Sequence, residues 1–585
     1  MVPDIAAVAR RFDYLVPGRL ADRIGIGSRV RVDLHGRRVA AWVVDVDVEP
    51  PDGVSPREIA VWSGSGPPAP VVDLAEWAAW RWAGPVPSFL RTASPERVVR
   101  PADRRPDVPD PPPVPSPGGE SVAIVERVLD AGAGPGVVRL APTLDATLLV
   151  TEVCHRLGSS GVLVLVPSRD RADGLARRLR AAGQRVALLP DDWAEAATGR
   201  AVVVGTRAAA WAPLPRLVAA VVLDAQDEAY TEERSPTWSA PEVVAERSRR
   251  DGAPCLLVSP CPPVVLTRSR PVVSTSRAAE RRGWPPVEVV DRRGDDPRTG
   301  LFSERLATVL HGVLTTPGGR VVCVLNRTGR ARLLACALCG ALARCTTCGG
   351  HLEQPAADGP LVCRRCGDER PPLCADCDST RLKLLRIGVS RATEELSALT
   401  GVPATEVTAS TDDPGAASAR LVVGTEAALH RVDHAGLVVF LDIDQHLLAP
   451  RFAAGEEALA LVARAARVVG TRSGGGRVLV QTRVPGHEAL AAAVRADPDL
   501  LAEAERPLRR QLGLPPFGAL ALLRGPGAAE YAAGLTGGGG SLEVASLADD
   551  RYLVRAEDHA ALADGLAGVA RPAGRLRIEV DPTDA

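Results

Sequence analysis

Eight of the twelve cysteines fall in one short segment, "CALCGALARCTTCGGHLEQPAADGPLVCRRCGDERPPLCADC", which runs from Cys336 to Cys377. They form four C-x-x-C knuckles, Cys336/Cys339, Cys345/Cys348, Cys363/Cys366 and Cys374/Cys377, separated by five, fourteen and seven residues. A two-residue gap lets both sulfurs of a knuckle reach one ion, and two knuckles complete the four-thiolate tetrahedron of structural zinc. Eight sulfurs make two closed sites with no position left for water, so the metals hold structure and perform no chemistry. Iron–sulfur ligation is the rival, but knuckle pairs interleaved with "CG" turns favour zinc ribbons. With eight sulfurs available, His351 is not needed as a ligand. Three pairings of the knuckles are open. Joining the first two through five residues is cramped, whereas nesting Cys345, Cys348, Cys363 and Cys366 inside Cys336, Cys339, Cys374 and Cys377 leaves the fourteen-residue stretch as a hairpin finger. The remaining Cys154, Cys255, Cys261 and Cys323 sit in or beside apolar strands, as small buried hydrophobes do.

A second stretch, after the first apolar run of an α/β region, lacks the residues for phosphate chemistry. A P-loop needs glycines whose amides approach phosphate and a lysine that reaches the β/γ oxygens. "VVRLAPTLDATLLV" (Val137 to Val150) has no glycine pair, Pro142 removes an amide donor, and Asp145 repels phosphate. The one lysine of the chain, Lys383, lies far away beside the cysteine segment; every other basic residue is arginine.

These segments need several bodies to hold them, because 585 residues exceed the ~250–300 at which single cores stop growing. Hydrophobic content of 46% and charged content of 24% are ordinary for globular chains. A net charge of −1 gives no general pull toward polyanions. Around the cysteines, Arg344, Arg364, Arg365, Arg370, Arg381 and Lys383 are locally basic, but each four-thiolate zinc centre is formally dianionic and offsets them, so attraction to nucleic acid there should be moderate. The N-terminal "MVPDIAAVARRFDYLVP" has no apolar signal region and no run of apolar residues is long enough to span a bilayer. The expectation is a soluble cytoplasmic protein without membrane contact, in a reducing compartment where clustered cysteines mean metal.

Residues 1–100 read as a compact, β-rich domain. "SRVRVDLHGRRVAAWVVDVDV" alternates apolar positions around "HGR", a hairpin signature, and "VVDLAEWAAWRWAG" follows as a helix. Residues 101–119 are proline-rich and read as a stiff linker. Within 120–285, "GVLVLVPS", "RVALLP", "AVVVGT", "LVAAVVLDA" and "PCLLVSP" are continuous apolar runs like buried parallel strands. A second series, "RVVCVLN", "ARLVVGT", "GLVVFLDID" and "RVLVQT", falls within 286–500 and is interrupted by the cysteine segment. Two α/β sheets follow, with a small α+β domain over 501–585.

An α/β sheet, then "LNRTGRARLLACALCG", then four knuckles set into a second sheet, resembles the primosomal replication-restart helicase family (primosomal protein N-prime, PriA). The likeness covers nearly the whole chain. "RFDYLVP" resembles the family's DNA 3′-end-binding domain; "VVVGTRAAAWAPLPRLVAAVVLDAQDEAY" resembles the end of its first lobe; "LVVGTEAAL", "FLDIDQHLLAPRF" and "RVLVQTRVPGHEAL" resemble its second lobe, and "LPPF" its C-terminal domain. The resemblance implies two RecA-like lobes, the second carrying a two-zinc insertion whose nested pairing agrees with the family's sites. It implies that Phe12, Asp13 and Tyr14 line a pocket for a DNA 3′ end; on the residues alone they read as a strand-edge turn. It further implies forked and single-stranded DNA, single-strand-binding protein, and the replicative helicase with its loading factors as partners of a monomer.

The family's ATPase motifs are degenerate together. Its D-E-x-H-type motif reads "LDAQDEAY", keeping Asp224 and Asp227 only. Its S-A-T-P motif reads "SPCP", its lysine-glycine-histidine-aspartate stretch reads "LHRVDH", and its Q-x-x-G-R-x-G-R region reads "RAARVVGT", with Arg467 out of register. The winged helix between the first two domains is missing, since the linker is shorter than the ~50 residues a domain needs. The expected protein is a restart factor that binds abandoned forks and helps reload the replicative helicase, without catalytic residues and with ATP binding in doubt. An active 3′-to-5′ helicase and a scaffold that no longer binds forks are the alternatives; DNA-stimulated ATPase and fork-binding assays separate them.

Overall fold

The computed structural model describes the chain apart from residues 6–9, 51–54, 101–115, 117, 133, 269, 271, 296–300, 326–333, 355–358, 364–365, 385–388, 412, 414, 538–541, 548–549, 573 and 583–585. The proline-rich linker expected at 101–119 therefore lies almost wholly outside the described residues, as do Arg364 and Arg365. Two compact units emerge: Met1–Arg139 with Asp145–Ser274 and Arg509–Pro582, and Leu140–Leu144 with Thr275–Leu508.

In the first unit, the strands Arg29–Leu34 and Arg37–Trp42 pair antiparallel in the register Leu34 opposite Arg37. The turn between them, His35 and Gly36, takes positive φ at both residues (49° and 76°), the backbone that joins two right-twisted strands with a two-residue loop. Val30 and Val32 point into a small core with Ala41, Val43 and Ile59, while Arg29, Arg31 and Asp33 alternate outward. Pro68 and Pro70 then open a helix, Ala69–Arg81, where a missing amide costs nothing. A second helix, Val86–Ala93, was not legible in the sequence.

A seven-stranded parallel sheet follows, in the spatial order Val272–Ser274, Gly134–Arg139, Pro254–Ser259, Ala219–Leu223, Val162–Leu165, Val202–Gly205, Val186–Leu188. Its central strands are buried on both faces, which is why they read as unbroken apolar runs. Residues 509–582 add a four-stranded antiparallel sheet built on Ala519–Arg524 and Arg551–Ala556, backed by helices Ala528–Gly537 and His559–Ala567. The three segments share one hydrophobic core: Leu74 and Phe89 from the first, Trp211, Tyr230 and Val243 from the second, Leu523 and Tyr531 from the third. Within it the Trp211 ring lies between two others, with centroids 5.6 Å from Phe89 and 5.5 Å from Trp238.

Arg81 ties the same three segments by charge. It is 6% exposed and meets Glu242 at 2.9 Å and Asp581 at 2.8 Å, and Asp581 also lies 2.7 Å from His559 Nε2. Burial alone would lower the guanidinium's pKa, but Glu242 and Asp581 turn the net shift upward. Burial works against ionised Asp581 too, yet Arg81 and then His559 hold it well below the usual carboxylate range.

The second unit carries a six-stranded parallel sheet, in the order Val287–Asp291, Arg477–Thr482, Leu437–Phe440, Val321–Val324, Leu421–Gly424, Ala404–Val407. The cysteine segment enters after Val321–Val324. The chain returns through helix Val389–Thr400 to the edge strand Ala404–Val407. No helix among the described residues is long and apolar enough to cross a membrane.

Candidate metal centres and nucleic-acid interface

All four knuckles are built alike. The amide five positions beyond the first Cys's predecessor closes each turn onto that cysteine's carbonyl: Gly340 to Cys336, Gly349 to Cys345, Gly367 to Cys363 and Asp378 to Cys374, at 2.9–3.0 Å. The same four residues have positive φ, 78°, 69°, 74° and 53°, so three are glycine and the fourth is aspartate, which tolerates that region better than most. This is the physical origin of the recurring "CG". In every knuckle the first cysteine is buried and the second more open, so paired knuckles face each other with four sulfurs between them.

The structure brings together Cys336, Cys339, Cys374 and Cys377 in one group and Cys345, Cys348, Cys363 and Cys366 in another, each with all sulfurs within 4.8 Å of one another. Cross-pairs are 3.6 Å (Cys336–Cys377), 3.5 Å (Cys339–Cys374), 3.5 Å (Cys345–Cys366) and 3.4 Å (Cys348–Cys363). These are far beyond the ~2.05 Å of a disulfide and close to the ~3.8 Å edge of a tetrahedron with ~2.3 Å metal–sulfur bonds. The donor set therefore fits a structural zinc in each group. The hairpin between the inner knuckles, Leu352–Glu353 with Leu361–Cys363, is extended by Glu369–Arg370 beyond Cys366 into a three-stranded sheet. His351 stands outside both sulfur groups. It is buried and places Nδ1 2.6 Å from the Leu448 carbonyl, tying the ribbon to the segment that follows Leu437–Phe440.

That segment, "LDIDQHLLAP", holds an acidic pair, Asp442 half-buried and Asp444 buried. Thr482 Oγ1 and, at 2.8 Å, the Arg483 amide donate to Asp444, while Gln445 donates to Asp442 at 3.2 Å. Burial first, then the charge of Asp442, pushes the Asp444 carboxyl up to about 7. Because this folded-state value lies above the ordinary 3.8, the folded unit holds the proton more tightly than the unfolded chain. The stability it contributes is full below about pH 4 and is lost as pH rises through about 7. The second unit should accordingly melt lower at pH 8 than at pH 6. Asp444→Asn should flatten that difference in thermal scans; an unchanged pH slope would refute the assignment.

Phe12, Asp13 and Tyr14 are each half-buried where the chain enters the short strand Tyr14–Leu15. The Met1 ammonium donates to the Phe12 carbonyl at 2.9 Å, and the Tyr14 hydroxyl donates to the Asp33 carbonyl at 3.1 Å. Tyr14–Leu15 pairs in parallel with Arg57–Glu58. Beside these residues Leu15 and Val16 are 53% and 42% exposed, an apolar shelf that the sequence pattern alone did not single out.

The stretch compared above with a P-loop joins strand Gly134–Arg139 to helix Thr147–Leu157. The first turn of the helix is occupied by its own chain: Asp145 accepts from the Thr147 amide at 2.9 Å and pairs with Arg178. Burial opposes ionisation of Asp145, but Arg178 and Thr147 keep its carboxyl below the usual range. Asp224, 5% exposed with φ of 54°, is paired with Arg171, and Asp227 caps the Ala229 amide at 3.0 Å. In the second unit Arg467 donates Nε to the Pro142 carbonyl at 3.1 Å.

Fold and sites define a multidomain α/β protein with a double four-cysteine ribbon set into its second sheet. Residues 2–95 match the family model of the PriA 3′DNA-binding domain (3′BD). The chain is 31% identical over 613 residues to the "Probable replication restart protein PriA" of Mycobacterium tuberculosis, an alignment covering 97% of this chain and 90% of that one. It is 27% identical to the "Replication restart protein PriA" of Synechocystis over 65% of this chain and 51% of that one, and 26% identical to that of Bacillus subtilis over 55% and 43%. The chain belongs to the PriA replication restart protein family, and is a DNA-binding, helicase-like member of it.

Proposed function

We propose that this protein is a restart factor that binds stalled or abandoned forks through Phe12, Asp13 and Tyr14 and helps reload the replicative helicase, without turning over ATP. The observation that carries this reading is the chemistry of the loop between Gly134–Arg139 and Thr147–Leu157. The helix-initial amide that would meet phosphate is taken by Asp145, whose negative charge is itself neutralised by Arg178. No lysine is available, because Lys383 is the chain's only one. The carboxylate best placed to hold magnesium, Asp224, is committed to Arg171. Loss of the phosphate-binding lysine and of a free metal-holding acid removes the charge stabilisation on which phosphoryl transfer depends. The residues present do not fit a hydrolysable nucleotide.

The same reading gives each sulfur group one zinc ion, with a structural role. Single-strand-binding protein and the helicase-loading factors are its proposed protein partners. The test uses the full-length chain: DNA-stimulated phosphate release should not exceed a metal-only blank, while a fork with a 3′ end at its branch should bind more tightly than one without. Asp13→Ala should erase that preference. ATP-driven unwinding of a fork would sink the proposal.

A further inference from the structure

The second unit contains a cavity of about 570 Å³ to which the fork-binding reading assigns no role. Its volume lies within the ~300–1,000 Å³ of small-ligand sites. Four arginines line it, Arg293, Arg344, Arg451 and Arg483, with Glu488 and Glu505 as the acids on its wall. Two of the arginines are committed: Arg293 pairs with Asp291 at 2.6 Å and Arg451 with Glu457 at 2.6 Å. Arg344 and Arg483 are different. Arg344 leaves Nη2 buried without a hydrogen-bond partner. Arg483 gives Nη1 to the Gly340 carbonyl at 3.1 Å and forms no ion pair among the described residues. Asp444, the carboxylate that acts on both, spends its oxygens on Thr482 and the Arg483 amide.

Neither guanidinium is engaged in an ion pair with a carboxylate among the described residues, so two such heads on the wall of one cavity suit a ligand that supplies oxygens. The inner thiolate group contributes Cys348 to the wall and, with Glu488 and Glu505, opposes diffuse attraction of anions. Recognition must come from directed N–H donors on a compact oxyanion, the geometry in which a guanidinium fork engages phosphate. We propose that this cavity receives the phosphate of a nucleotide, held by Arg344 from the ribbon and Arg483 from the segment after Arg477–Thr482. The nucleotide is either one unit of a DNA strand, a source that rests on the fork-binding reading, or a free mononucleotide.

The experiment compares the zinc-loaded full chain with Arg344→Gln and Arg483→Gln, using a fluorescent single-stranded oligothymidylate and, separately, thymidine 5′-monophosphate. If the ligand is a strand, each substitution should weaken oligothymidylate binding about tenfold and reduce the salt slope by about 0.7, the value for one phosphate contact to a single strand. If it is free, the monophosphate should bind the wild type and lose that binding in both variants. Arg344→Lys should recover part of the loss, since charge returns without the fork. Should Arg344→Gln lose zinc because it adjoins Cys345, Arg483→Gln decides alone. Unchanged binding of both probes to an Arg483→Gln protein with normal zinc content and melting overturns the proposal. A wild type that ignores oligothymidylate defeats the fork-binding reading, while the monophosphate arm still judges the cavity.

Discussion

Stripping metal from the intact chain with a chelator should release two zinc ions per molecule and unfold the ribbon between Leu334 and Leu384, while the two large sheets stay folded. The ribbon's own core is small: Leu334, Ala343, Leu352 and Leu361, completed by Cys345 and Cys363. It shares no residue with the core beneath the six-stranded sheet, which gathers Leu306, Leu310, Val321, Leu396, Val423 and Val439. A segment this short cannot bury enough apolar area to fold unaided, and structural zinc supplies about 10–16 kcal/mol per site near neutral pH. The sulfurs themselves form part of that core, so removing the ions also leaves buried thiolates without a counter-charge. Elemental analysis checks the stoichiometry, and limited proteolysis checks where the chain opens. One zinc per chain, or a chelated protein whose ribbon still resists protease, would contradict the nested assignment. Because His351 anchors the ribbon to the Leu448 carbonyl, the cavity walled by Arg344 should be lost together with the metal.

Arg81→Met should be the most damaging single change in the first unit. The substitution leaves Glu242 and Asp581, whose side chains are 23% and 28% exposed, without their shared counter-ion; breaking a fully buried ion pair from one side costs about 3–5 kcal/mol, and this partial exposure lowers the figure. Asp581 keeps His559 as a partner, which sets the expectation toward the lower end. The sign with pH follows from the depressed value of Asp581: its stabilising contribution is present above the ordinary carboxylate range and is lost as pH falls through the folded value. In the variant that acid sensitivity should shrink. Thermal scans of the first unit's transition provide the measurement. A triple replacement, Arg81→Met with Glu242→Leu and Asp581→Leu, should restore most of the loss, because an apolar set of similar volume needs no counter-ion. A melting temperature for Arg81→Met equal to the wild type would show that the ion triad contributes nothing.

What the sequence disclosed was local. The C-x-x-C spacing and the residue after each knuckle are set by a turn of a few residues, so they could be read directly. The unbroken apolar runs from Val162 to Ser259 and from Val321 to Thr482 likewise report strands covered on both faces. Helix Val86–Ala93 escaped notice because eight residues between prolines and a serine are too few to show a period. Nothing in the pattern of "EWAAWRWAG" signals that Arg81 is buried, because its partners stand 161 and 500 positions along the chain. Arg344 and Arg483 were invisible as a pair for the same reason. Asp224 reads as a remnant of the family's metal-holding motif; its pairing with Arg171 in helix Arg169–Ala181 could not be seen from the motif alone.

The shared core around Trp211 has a consequence for how the molecule is made. On the ribosome, its last contributors, Ala519 to Val580, emerge roughly 245 to 306 residues after Ser274, a wait of tens of seconds at roughly 5–20 residues per second. Throughout that interval Phe89, Trp211 and their neighbours present an unfinished greasy face to the cytosol, and a message cut short before Arg509 would leave it so for good. A chain that ends before Arg509 should therefore collect in inclusion bodies, even though the completed chain is well packed.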